Sequence, residues 1–155
     1  MSGITRRQAL TAGVASGAAV LAVASQSLGQ DKQVDAERVK AEFAALQGTW
    51  RCLRWEQEGT VMPEESRRTV SVVVKDETYK STVDGVNFKE GKLTLDPSGT
   101  PSQVDAPFDG GVNRAVYVRS GDYLILCVGG ERRPTEFVCG GEKGGDSLYV
   151  FRIER

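Results

Sequence analysis

Short segments of alternating apolar and polar residues fill most of the chain after residue 48, and glycine-rich turns separate them. In the last segment, apolar side chains occupy every second position with charged residues between them (Tyr149, Phe151 and Ile153 against Arg152 and Glu154). This period of two is typical of strands that are buried on one face. We therefore predict a mainly β domain, an antiparallel up-and-down barrel of eight or nine strands, with a β-sandwich as the alternative.

The predicted strands recur about every ten residues, which suits hairpin connections. Pro101 precedes the segment 103–108 and Pro107 lies near its end, as expected of a strand at a sheet edge. The full set of apolar or alternating segments is 50–55, 69–74, 78–83, 86–88, 92–95, 103–108, 112–118, 123–128, 135–139 and 148–153.

One helix is predicted before the strands. Val39, Phe43 and Leu46 recur at the spacing of one helical face, and Gly48 follows as a stop signal. Residues 30–36 are predicted to be a flexible lead-in, and 37–155 to be the domain. No alternation of strands with helices is present in the pattern, which disfavours a Rossmann-type fold.

The first 29 residues have the composition of an export signal. Arg6 and Arg7 precede an apolar run over 9–24, and no charged residue occurs from 8 to 30. The run is shorter than the ~20 residues of a spanning helix. We predict a twin-arginine-type signal over 1–29. The Sec route is the alternative, because the motif favours a large apolar residue at Ala9 and a basic one at Thr11.

Small residues allow signal cleavage at two points, before Gln30 or before Ser25, and we prefer cleavage before Gln30. An uncleaved N-terminal anchor is a further alternative. The predicted location is exported, periplasmic or extracellular, with no membrane span after signal removal. Cleavage after residue 29 removes two arginines and leaves 126 residues, with 18 basic and 21 acidic side chains and a net charge of −3. A domain of this size can form one self-sufficient core.

Charge and composition narrow the functional classes. Lys and Arg number 20 against 21 Asp and Glu, so no basic excess exists for a nucleic-acid backbone, and no nucleic-acid partner is expected. Histidine is absent, which excludes Ser-His-Asp and Cys-His catalysis and imidazole zinc sites. We predict a non-enzymatic protein with no catalytic residues, metal or cofactor.

The three cysteines allow more than one interpretation. Cys127 and Cys139 lie on consecutive predicted strands, where a disulfide is geometrically possible in an oxidising envelope. The alternative is three small buried apolar residues, with Cys52 as the third. A three-thiolate metal site is disfavoured, because no C-x₂-C spacing is present.

A few other side chains are candidates for a ligand site. Trp50 and Trp55 are five residues apart, so a regular strand would place them on opposite faces, with Trp50 in the core and Trp55 near a mouth or pocket. Arg132 and Arg133 could bind an anion; surface pairing with Glu131 or Glu136 is the simpler expectation. Acid–base chemistry by paired glutamates is disfavoured, because charged loops are commonly just solvated; the four glutamates concerned are Glu56, Glu58, Glu64 and Glu65.

Several motifs together resemble one protein family. They are Leu46-Gln47-Gly48-Thr49-Trp50, then Glu56, Gly59 and Pro63, then Gly121-Asp122 with Leu124, Leu126 and Cys127, and finally Arg133-Pro134-Thr135-Glu136-Phe137. The chain resembles a family of small exported β domains, best known from planctomycete bacteria, that has no assigned function and is thought to be lipocalin-like. The resemblance supplies no catalytic residues. The G-x-W at Gly48 also resembles the opening of a lipocalin's first strand, which implies that Arg152 packs across Trp50.

Two functions from different classes follow as expectations. The first is a binding module whose interior or mouth holds a small apolar or amphipathic molecule, an argument by analogy from the fold. The second is a structural or protein-interaction domain of the cell envelope without a ligand pocket.

Overall fold

The computed structural model describes residue 33 and residues 35–155, and Asp35–Arg155 forms one compact unit. The predicted signal, with Arg6 and Arg7, lies outside the described residues. Within them, helices are too short or too polar to cross a bilayer. Helix α1 covers 35–46 and so includes two residues that the sequence assigned to the lead-in.

Ten strands and one further helix follow α1. Their bounds are β1 Gly48–Gln57, β2 Thr60–Val61, α2 Glu64–Arg68, β3 Ser71–Lys75, β4 Thr78–Val83, β5 Val86–Lys92, β6 Thr94–Asp96, β7 Ser102–Phe108, β8 Gly111–Ser120, β9 Tyr123–Val128 and β10 Ser147–Ile153. The five-residue α2 lies where the sequence predicted only loop.

Nine of the strands form a nearly closed antiparallel barrel in the order β5-β4-β3-β1-β10-β9-β8-β7-β6, and β2 adds to β1. Most neighbours follow each other directly along the chain, but β1 connects to β3 through β2 and α2, and β9 connects to β10 through residues 129–146. The pairing of β1 with β10 brings the two ends of the domain together. Strands β5 and β6 are separated only by Leu93 and complete the circuit at a seam without a continuous ladder. The predicted up-and-down barrel is confirmed, and the sandwich alternative is wrong.

Helix α1 packs at the barrel end formed by the start of β1 and the β3–β4 and β8–β9 turns, here called the helix end. Phe43 and Leu46 are buried there, and Gln47 bonds to the main chain of Asp76 with both its amide oxygen and nitrogen. Trp50, predicted to be a core residue, is 0% exposed. The opposite end, where β1 finishes and β10 begins, is called the far end.

A β-bulge in β1 changes the direction of its second half. Cys52 pairs with Phe151, but Arg54 already pairs with Val150, so one residue of β1 is extra. A bulge shifts the two-residue alternation by one position. Trp55 therefore packs against the same core as Trp50, and the prediction that they lie on opposite faces is wrong.

Residues 129–146 form a strap that covers the outer face of β8 and β9. Val116 and Cys127 are fully buried beneath it, as is Pro134 of the strap itself. A Cβ at Gly145 would lie 2.4 Å from the carbonyl oxygen of Val128, so this contact requires glycine. The predicted strand at 135–139 is wrong: the strap makes only an isolated bridge there, between Cys139 and Gly145.

Strand β7 is paired with β8 along its whole length and with β6 only over Gln103–Asp105. The edge position predicted for 103–108 is therefore correct only for its last three residues. Pro107 lies in this part, which is paired with β8 only. Proline has no N–H, but no neighbouring strand on the β6 side is present here to accept a hydrogen bond from it.

Candidate functional site

An aromatic row runs from the core to the far end of the barrel. The Trp55 and Tyr149 rings are stacked with centroids 5.9 Å apart, and the Tyr149 and Phe151 rings are stacked at 5.5 Å. Phe151 is buried, whereas Trp55 and Tyr149 are half-buried. Burial raises the pKa of the Tyr149 phenol, so this side chain stays neutral at physiological pH. The row is a flat apolar surface that is partly accessible at the far end.

The indole nitrogen of Trp55 is buried and has no hydrogen-bond partner among the described residues. Leaving such a donor unsatisfied costs roughly 1–3 kcal/mol. By contrast, the Trp50 indole donates to the Leu46 carbonyl oxygen at 2.8 Å. The bulge that turns Trp55 inward thus leaves one donor without an acceptor beside the aromatic row.

The seam between β5 and β7 is held by contacts other than a strand ladder. The Tyr79 hydroxyl donates to the carbonyl oxygen of Pro107 at 3.1 Å, and burial raises the pKa of this phenol to about 12. A Cβ at Gly91 would lie 2.0 Å from the same Pro107 oxygen. The backbones of β5 and β7 therefore approach closely, which brings the Lys89 ammonium within 4.2 Å of the Phe108 ring centroid.

Two open cavities lie at the helix end, and neither is enclosed by the barrel strands. One, of about 560 Å³, is between α1 and the β3–β4 turn, with Val39, Phe43 and Asp76 in its wall. The other, of about 420 Å³, is between the 99–102 loop and the strap residue Phe137. Neither of these two cavities could enclose a ligand at the centre of the barrel, which is what a lipocalin-type binding site requires.

A polar cluster at the helix end has no counterpart in the sequence analysis. The Arg119 guanidinium lies 3.7 Å from the Glu42 carboxylate, and the nearby Tyr117 hydroxyl is buried without a partner at hydrogen-bonding geometry in the described chain. Burial, and secondarily the Glu42 carboxylate, raises the pKa of Tyr117. These groups hold α1 on the barrel; their spacing along the sequence gives no signal that they meet.

Arg132 and Arg133 both donate to the main chain. Arg132 binds the carbonyl oxygens of Gly141, Glu142 and Gly144 within the strap. Arg133 donates to the carbonyl oxygens of Val104 at 3.2 Å and Ala115 at 2.8 Å, and it forms an ion pair with Asp105. Neither pairs with Glu131 or Glu136 among the described contacts.

The predicted packing of Arg152 across Trp50 is wrong. Arg152 pairs with Arg51 in the ladder, while Trp50 pairs with Ile153, so the two side chains point to opposite faces of the barrel wall. Arg152 is exposed, and its guanidinium lies 5.9 Å from the ring centroid of Tyr123.

All three cysteines are free thiols, so the predicted Cys127–Cys139 disulfide is not formed in the structure. Cys127 is buried under the strap and donates to the carbonyl oxygen of Val138 at 3.3 Å. Cys139 accepts from the Gly59 N–H at 3.3 Å. Cys52 is buried in the barrel, and this burial raises its pKa to about 11. No group of three metal-ligating side chains occurs among residues 35–155.

The loop glutamates do not converge on one point. Glu56 pairs with Arg54 along β1, and Glu64 pairs with Arg67 and Arg68 within α2. Glu58 occupies the turn after β1 with a positive φ of 49°. The geometry therefore lacks the facing pair of carboxylates that glycosidic chemistry requires.

Comparison of the chain with protein-family models, with curated proteins and with solved structures gives no match. The resemblance to a lipocalin-like exported family therefore stays a prediction from the motifs.

Proposed function

We propose that this protein is an exported, non-catalytic β-barrel domain that binds a small amphipathic molecule at the far end of its barrel. The observation that carries the proposal is the Trp55 indole N–H, buried without an acceptor beside a partly accessible aromatic row. Specific small-molecule sites combine an apolar surface with a few polar groups that fix orientation. Trp55 and Tyr149 supply the surface, and the indole N–H supplies one donor.

The proposed mechanism is burial of apolar surface combined with one new hydrogen bond. A ligand that covers the exposed edge of the Trp55–Tyr149 stack removes apolar area from water, at roughly 25 cal/mol per Å². A ligand carbonyl oxygen that reaches the Trp55 N–H relieves the cost of the unsatisfied donor. An ester of medium chain length has both features.

The test is calorimetric titration with methyl decanoate, a neutral amphiphile with one carbonyl acceptor, supported by native mass spectrometry. We expect saturable one-to-one binding. Trp55→Phe keeps an aromatic ring and removes the N–H, and it should weaken binding about 5- to 30-fold, the value of one hydrogen bond. Tyr123→Phe, which alters an exposed aromatic side chain on the outer face, is the matched control. Wild-type protein that shows no saturable binding, or Trp55→Phe that binds like wild type, refutes the proposal.

A second candidate function is an interaction domain of the envelope without a ligand. The observation in its favour is that Trp50 and Phe151, both in the core, are 0% and 2% exposed, while the two cavities described above open at the helix end. The same titration separates the two candidates, since a domain without a ligand site gives no heat that depends on Trp55.

Export is part of the proposal and has its own test. Arg6→Lys with Arg7→Lys should abolish appearance of the protein outside the cytoplasm if the twin-arginine route is used. Unchanged export would indicate the Sec route. Mass spectrometry of the exported protein should give an N-terminus at Gln30.

A further inference from the structure

We infer that the far end takes up an anionic amphiphile in preference to a neutral one, and that its carboxylate-type head group pairs with Lys89 at the seam of the barrel rather than with the Trp55 N–H. The inference rests on the proposed function, because it assigns the charge of the ligand that this end of the barrel would bind.

Lys89 differs in burial from the other lysines of the described chain. It is half-buried, whereas the remaining five are exposed: Lys40, Lys75, Lys80, Lys92 and Lys143. Burial lowers the pKa of the Lys89 ammonium, because removal of water disfavours the charged form. Long charged side chains are seldom buried unless they are paired. A half-buried ammonium at this position therefore calls for a counter-charge.

The structure supplies only weak partners for this ammonium. Its Nζ lies 3.4 Å from Oδ1 of Asn113, 4.2 Å from the ring centroid of Phe108 and 5.1 Å from that of Phe88. Cation–π contacts contribute about 0.5–1 kcal/mol at exposed sites and more when desolvated. They orient the cation between two rings but leave its charge uncompensated.

Within residues 35–155, no carboxylate forms an ion pair with Lys89. The nearest acid along β5, Glu90, accepts a hydrogen bond from the Asn87 amide instead, and Asp105 is paired with Arg133. Lys92, on the same strand, does have a partner in Glu77 at 2.7 Å. The Lys89 ammonium is therefore a partly desolvated cation that forms no ion pair with an acid of the barrel. A ligand carboxylate could form a charge-assisted hydrogen bond with it, and such bonds are stronger than those between neutral groups.

The surroundings of Lys89 explain why the ligand should also be apolar. Phe88 is 63% exposed and Val86 is 67% exposed, both on β5 at the far end. Exposed apolar side chains grouped beside a polar centre are typical of ligand or interaction sites. A short hydrocarbon chain that covers them would leave the head group at the Lys89 ammonium.

The experiment compares decanoate with methyl decanoate, which differ in charge and share the chain. We expect wild-type protein to bind decanoate at least 10-fold more tightly than the ester, and Lys89→Gln to lose this preference while its affinity for the ester is unchanged. Lys80→Gln, which removes an exposed lysine from neighbouring β4, is the matched control and should behave like wild type. Decanoate should also slow acetylation of Lys89 by acetic anhydride in the wild-type protein, a readout that needs no variant.

The failures can be told apart. Equal affinity for decanoate and the ester in wild type, or equal losses in Lys89→Gln and Lys80→Gln, overturns the anionic assignment and leaves the proposed function standing. Acetylation of Lys89 at the same rate with and without decanoate overturns it as well. Absence of binding of both compounds refutes the proposed function, and the assignment falls with it.

Discussion

The indole nitrogen of Trp50 donates a hydrogen bond of 2.8 Å to the carbonyl oxygen of Leu46, the last residue of α1. A helix leaves its last carbonyl groups without intrahelical partners, so this bond satisfies one of them. The same side chain is completely buried at the start of β1. One residue therefore fastens the helix to the barrel and fills the core beneath it.

Replacement of this residue should be costly. Trp50→Phe removes the donor, leaves the Leu46 carbonyl unsatisfied and creates a void, and we expect the free energy of unfolding to fall by about 2–3 kcal/mol. Trp55→Phe is the matched comparison and should cost less, because its N–H has no partner to lose. Urea unfolding followed by circular dichroism measures both. Equal losses in the two variants would show that the Trp50 bond contributes nothing.

The seam depends on a residue without a side chain. Gly91→Ala would place a Cβ 2.0 Å from the Pro107 carbonyl oxygen, so β5 and β7 must separate. We expect a loss of about 1–3 kcal/mol in the free energy of unfolding, the usual range for overpacking. Gly111→Ala is the control, because its nearest neighbour at 3.3 Å is the Phe108 ring, which can move. A thermal scan that shows equal melting temperatures for Gly91→Ala and wild type contradicts the close approach.

Most of the barrel could be predicted from the alternation of apolar residues, because hairpin connections place successive strands side by side. Tyr149, Phe151 and Ile153 show this directly, since they contribute to one face of β10 in the core. The pattern fails where a single residue changes the register: the bulge near Leu53 is invisible in composition, and it alone turns Trp55 inward.

The strap was mispredicted for a different reason. Between residues 132 and 145, its backbone bonds to other backbone groups stay within the strap, and others are made to side chains such as Arg132. Its apolar residues therefore have no strand partner, even though their pattern is typical of a strand. Lys89 could not be identified either, because it reaches Asn113 across the seam, 24 positions away in sequence. Contacts between strands without a ladder leave no periodic signal along the chain.

Stability should fall in alkaline solution because of Cys52. Burial raises the pKa of this thiol from 9.0 to about 11, so the folded state holds a proton that the unfolded state releases above pH 9. The stabilising contribution of the neutral thiol is fully present below pH 9 and is lost as the pH rises from 9 through about 11. One pKa unit corresponds to about 1.4 kcal/mol, so a shift from 9.0 to about 11 gives a loss on the order of 3 kcal/mol.

Urea midpoints at pH 7.5, 9 and 10.5 check this dependence. Cys52→Ala should show a smaller decrease between pH 9 and 10.5 than wild type. Cys139→Ala, which alters a partly exposed thiol, should follow the wild-type curve. An identical slope in Cys52→Ala and wild type would remove Cys52 as the cause.

Two arginines illustrate how position in the barrel wall decides a side chain's contribution. Arg133 donates to two main-chain oxygens of neighbouring strands and is paired with Asp105, whereas Arg152 is exposed beside Tyr123. Arg133→Gln should therefore lower the free energy of unfolding by about 2–3 kcal/mol, since hydrogen bonds from a charged donor are strong and the strap loses its tie to β7 and β8. Arg152→Gln should change the free energy of unfolding by less than about 0.5 kcal/mol, as is usual for a surface substitution.

Urea unfolding of both variants, with the decanoate titration as a second measurement, checks these expected effects. A large loss in Arg152→Gln would restore the pairing with Trp50, and loss of decanoate binding in a folded Arg133→Gln protein would make Arg133 part of the ligand site.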